Sequence, residues 1–116
     1  MPGTISAGGN CLYSWAILPT FTPVSVAANT TAEQSFSLPG AQIGDFVDVY
    51  FFGTTLAGSA QTAGIGIVNN RISAPNTLQI GFSNSTAGAL TPAAGYYYVI
   101  LTRPEPTLNY LPTTAV

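Results

Sequence analysis

The sequence of 116 residues contains no histidine and no lysine, and one cysteine. Charged residues make up 5% of it, against roughly a quarter in an ordinary soluble domain. Glu33, Asp45, Asp48, Arg71, Arg103 and Glu105 are the whole inventory. Each shortage excludes something. Without His or Lys, the usual general bases near neutral pH are missing, and so are most activators of Ser or Cys. Cys11 cannot form an intrachain disulfide, and it reads as a small hydrophobe rather than a nucleophile. One Cys and no His leave transition metals without ligands, and no dense acidic loop exists for calcium. Asp45 and Asp48 are three apart, on opposite faces of a strand, so they form no carboxylate dyad. No cofactor and no metal are expected. Two arginines cannot build a basic face for nucleic acid. The apolar run "LYSWAIL" (12–18) is too short to span a membrane. "MPGTISAGGNC" lacks the pattern of a signal peptide, so "NTT" (29–31) and "NST" (84–86) read as turn chemistry rather than glycosylation sites.

What remains is 47% hydrophobic. Low charge with high hydrophobicity is the reverse of the disordered signature, and 116 residues suffice for one cored domain. A chain with so little charge suits an assembly in which much of its surface meets protein; the alternative is a free monomer with a neutral polar surface. Pro and Gly, 9 and 12 in number, are spaced so that few windows could hold three helical turns. Between them period-two alternation recurs, in "TPVSVAA" (22–28), "EQSFSL" (33–38), "FVDVYFF" (46–52), "IGIV" (65–68), "NTLQIGFS" (76–83) and "YYYVILT" (96–102). Loops are expected over 38–45, 53–64 and 85–95, with Asp45 closing a turn after Gly44. The pattern predicts an all-β fold, a single β-sandwich or jelly-roll-like domain over 22–103. A Gly-rich, irregular N-terminal arm, 1–21, is expected around Tyr13 and Trp15. An extended Pro-rich C-terminal tail, 104–116, carries Leu108, Tyr110 and Leu111 as apolar anchors.

Two of these strands are apolar on both faces. Asp48 should not be buried unpaired, so Val47, Val49 and Phe51 face the core and Phe46, Tyr50 and Phe52 face outward. In the last strand Tyr97, Val99 and Leu101 occupy one face, Tyr96, Tyr98 and Ile100 the other. Sandwich strands normally turn a polar face to water. Either loops and arms cover these outer aromatics, or they are an interface, where aromatic residues concentrate. Phe46, Tyr50, Phe52, Tyr96 and Tyr98 are therefore the candidate contact residues.

"IGDFVDVYF" (43–51) and "NNRISAPNTLQIGFSNSTAGALTPAAGYYYVILTRP" (69–104) together resemble a group of small tailed-bacteriophage virion proteins. The shared series is Gly44-Asp45 before a hydrophobic strand, Ile72 to Leu78, Asn84 to Gly88, Thr91 to Gly95, and a final Tyr/Val strand ending at Arg103. The resemblance implies a non-enzymatic structural protein of the particle, most like a head decoration (cement) protein. Such proteins are typically homotrimeric and seated on the major capsid protein where capsid subunits meet. It implies a place on the virion surface and no catalytic residues. A tail or neck component, or a glycan-binding module using exposed tyrosines beside Asn or Asp, is the alternative.

Overall fold

The computed structural model describes residues 11–104. The described residues are all-β, with seven strands and no helix among them: β1 Cys11–Ile17, β2 Thr20–Phe21, β3 Thr30–Ser37, β4 Phe46–Gly53, β5 Ile65–Ala74, β6 Thr77–Asn84 and β7 Gly95–Pro104. They form two antiparallel sheets. In the first, β7 is central, with β4 along one side and β1, then β2, along the other. In the second, β6 lies between β3 and β5. The arrangement is a β-sandwich, as the alternation predicts.

The central strands carry the core because each has a neighbour on both sides and a sheet over one face. Leu78, Ile80 and Phe82 of β6 and Tyr97, Val99 and Leu101 of β7 are buried, and Val49 of β4 joins them. Val47 and Phe51 pack against this cluster at its margin. The inward assignment of Val47, Val49, Phe51, Tyr97, Val99 and Leu101 therefore holds. Phe21 wedges between Phe36 and Tyr97, with ring centroids 4.6 and 5.6 Å away. The Phe51 and Tyr97 rings meet edge to face with centroids 5.0 Å apart, the arrangement that aromatic quadrupoles favour.

Three elements differ from expectation. Residues 11–17, placed in the irregular arm, form β1. "TPVSVAA" is not a strand: Val26 makes a single bridge to Leu90, and Val26 is buried while Val24 is exposed. The Gln34 side chain takes the place of a partner strand there. Its Oε1 accepts from Val24 N (2.8 Å) and its Nε2 donates to Val24 O (2.8 Å). Beyond "IGIV", β5 continues to Ala74 through register shifts at Ile67/Asn69 and Ile72/Ala74. Such bulges break the period-two pattern on which recognition depends. The tail anchors Leu108, Tyr110 and Leu111 lie outside the described residues, and β7 itself runs to Pro104.

Candidate functional site

The outward face of the first sheet gathers the predicted contact residues. β4 and β7 run antiparallel in a register that sets Tyr50 opposite Tyr98, Asp48 opposite Ile100 and Phe46 opposite Thr102. β1 completes the face, with Ala16 opposite Ile100 and Ser14 opposite Thr102. Phe46, Tyr50 and Tyr98 are 64%, 59% and 40% exposed, so neither the loops nor any other described residue covers them. Tyr50 and Tyr98 stand side by side as a cross-strand pair. Asp48 separates them from Phe46 along β4 and is itself exposed.

Phe52 and Tyr96 are less open. A bulge between Phe51 and Gly53 shifts the register, so that Tyr96 pairs with Gly53 and Phe52 has no partner. Both rings are half-buried. The bulge exists because Gly53 and Gly95 meet backbone to backbone. A Cβ on Gly95 would lie 2.5 Å from Gly53 O, and one on Gly53 would lie 2.5 Å from Ser59 N. The structure thus brings Tyr50 and Tyr98 together with Phe46 nearby. It leaves Phe52 and Tyr96 at the rim.

The frame beneath this face is held by polar groups that the sequence does not advertise. Arg103 is the hub. Its Nε and Nη2 donate to the two carboxylate oxygens of Asp45 (2.9 and 2.8 Å), and Nη2 also donates to Gly40 O (2.8 Å). Its guanidinium lies 5.0 Å from the Trp15 ring centroid, within cation–π reach. The Asp45 side chain is 2% exposed. Burial pushes its carboxyl up, but the Arg103 hydrogen bonds, the Gln42 backbone N–H and the Arg103 charge outweigh burial and hold it below the ordinary carboxylate range. Asp45 also closes its own turn: Asp45 N donates to Gln42 O (3.1 Å) and Gln42 N donates to Asp45 Oδ2 (2.9 Å). Gly44 supplies the positive φ of 100° that a type II turn requires at this position. Arg71 is likewise occupied, donating to both Glu33 oxygens at 2.9 Å across the outer face of β6. Both arginines of the chain are thus neutralised by carboxylates. Among the described residues Asp48 is the one charge outside an ion pair.

Tyr97 and Asn84 do similar work. The Tyr97 hydroxyl donates to Ala93 O (2.6 Å) and accepts from Gln61 Nε2 (3.1 Å), tying the loops on either side of the core. Burial raises its pKa, opposed by the Gln61 hydrogen bond. Asn84, 2% exposed, uses its whole hydrogen-bonding capacity. Its Nδ2 donates to Val26 O and Gly88 O, and its Oδ1 accepts from Thr86 N and Thr86 Oγ1. The "NST" segment is turn chemistry, as read. Asn29, in "NTT", adopts a left-handed φ of 53°.

No cluster of three His, Cys, Asp or Glu side chains occurs among the described residues. A small polar cleft lined by Asp45, Phe46, Asp48, Asn70, Arg71 and Thr102 opens beside the aromatic face. The element missed from sequence is β1. Tyr13, Trp15 and Ile17, alternating with Ser14 and Ala16, carry a strand signature that the glycine-rich flank obscures. Comparison with protein-family models, with curated proteins and with solved structures found no match.

Proposed function

We propose that this chain is a non-enzymatic structural protein of a bacteriophage particle, binding the major capsid protein at junctions between capsid subunits and stabilising the shell. The observation that carries the reading is the exposed Phe46, Tyr50 and Tyr98 face on the strand pair that also builds the core. A contact of this kind needs no reaction. It needs apolar area on a rigid support, and aromatic side chains supply such area at low entropic cost. The ordered series of turns shared with small phage virion proteins supports the particle, and a head decoration role within it. Repetition over a shell, as homotrimers on that resemblance, would add avidity to each weak contact. The pairing of both arginines with carboxylates argues against nucleic acid as the partner.

The test is occupancy. Particles assembled with the wild-type chain should retain it through purification. Particles assembled with Phe46→Ser/Tyr50→Ser should lose at least about tenfold in bound copies, the scale of two interface side chains, while the purified variant melts as the wild type does. Purified particles that never contain the chain would refute the reading. Asp48 beside Tyr50 supports a second reading, a glycan-binding module. Glycan-array binding abolished by Tyr98→Ala would favour it over the first.

A further inference from the structure

β1 is an edge strand whose inward row has no sheet beneath it. Tyr13, Trp15 and Ile17 share the face of Arg103, Leu101 and Val99, with which they pair, yet they are 52%, 37% and 38% exposed. Trp15 and Ile17 line an open cleft of about 380 Å³, closed on its far side only by Leu38, Pro39 and Gly40. Tyr13 and Trp15 stack at 5.3 Å. Leu12 and Leu18 add exposed apolar surface at the strand's two ends. The other side of β1 pairs with no strand among the described residues.

The long strands at the other sheet edges carry the devices by which natural sheets prevent edge-to-edge pairing, and β2 is only two residues long. β3 carries Glu33, β4 carries Asp48 and a bulge, and β5 carries Arg71 and two bulges. From Tyr13 to Ile17, β1 has unbroken register, no charge and no proline. Its free row of N–H and C=O groups lies between side chains that a second sheet would bury.

We infer that β1 is a contact between copies of this chain, two β1 edges pairing antiparallel about a twofold axis. An uncharged strand laid antiparallel on itself matches every donor with an acceptor and repels nowhere. With the axis at Ser14, Trp15 of one copy faces Tyr13 of the other, an aromatic cross-strand pair. The area is small: edge pairing covers only part of the exposed surface of β1, so the contact lies at or below about 1,000 Å² in total, the size of weak and transient interfaces. Pairing is therefore expected at micromolar rather than nanomolar chain. The contact is isologous, so it joins molecules in twos. Its apolar row, Tyr13, Trp15 and Ile17, lies on the opposite side of the sheet from the outer aromatic face, and the contact needs no capsid.

Trp15 is the only tryptophan of the chain, so the strand carries its own reporter. The full-length protein is diluted from about 200 to 1 μM, a range bracketing weak specific association, with light scattering and tryptophan emission followed together. The expected result is a mass that halves on dilution, from twice to once the 12.0 kDa chain or from twice to once its trimer, with Trp15 emission moving to longer wavelength in step. Ser14→Lys/Ala16→Lys, at two exposed positions, sets like charges across the axis and should weaken pairing at least about tenfold. Unchanged melting shows that the variant is folded. Ile17→Glu provides a third charge, on the opposite face. A mass that never halves overturns the inference, as does association that leaves Trp15 emission unmoved or is indifferent to all three charges. Short-wavelength emission from a single chain overturns it too, since the chain's own residues would then cover β1.

Discussion

Arg103 and Asp45 illustrate how one side-chain pair can fix a strand end, a loop and an edge strand at once. The guanidinium answers a carboxylate that is almost wholly out of water, a loop carbonyl and the face of Trp15. Removing the cation strands the anion. Arg103→Met is expected to cost about 2–3 kcal/mol in denaturant melts, below the usual figure for breaking a buried pair because Arg103 keeps some contact with water. Asp45→Asn, which keeps the turn and removes the charge, should cost less. The same pair sets an acid limit. The Asp45 carboxyl titrates below its unfolded value, so its contribution is complete above about pH 4 and is lost as pH falls through the folded value. A pH series should show wild-type stability declining there and a flatter profile for Asp45→Asn. Asn84 is the other residue of this rank. Asn84→Asp keeps the shape but loses both donors and sets a carboxylate against the Val26 and Gly88 carbonyls. It should destabilise by about 2–4 kcal/mol, more than Asn84→Ala.

At the scale of elements, the close approach of Gly53 and Gly95 decides where β4 ends and how β7 begins. Gly95 has a φ of 151° and no room for a side chain. Gly95→Ala should therefore cost at least about 2 kcal/mol and loosen Tyr96 and Phe52 at the rim, read as lost melting temperature and faster amide exchange near Tyr96. Five of the six alternating stretches in the sequence became strands or parts of strands, and their inward residues were legible because burial on one face enforces period two. The failures have separate physical causes. Val24 and Val26 alternate, but Pro23 and the Gln34 amide divert that backbone from any ladder. β5 hides behind two bulges. β1 was obscured by its glycine-rich flank although Tyr13, Trp15 and Ile17 alternate cleanly. Of the candidate contact residues, the outward exposure of Phe46, Tyr50 and Tyr98 was legible from the doubly apolar pattern. The partial burial of Phe52 and Tyr96 was not, because it follows from a register shift made by two glycines distant in sequence.

As a whole molecule the protein has almost no electrostatic surface. Four of its charges cancel in two pairs, and the net charge is −2. Its associations should therefore respond weakly to sodium chloride and strengthen in sulfate, which favours apolar burial by exclusion from protein surface. Sedimentation in the two salts would check this, and strong weakening by chloride would point to ionic contacts. Asn84 has a last consequence for how the protein can be made. It is the acceptor position of an "NST" sequon, and it sits where the core needs both amide hydrogens. A sugar attached there would take one of those hydrogens and bring its bulk to a buried site, so glycosylation of Asn84 works against the sandwich, and copies left unmodified are the ones that fold most stably.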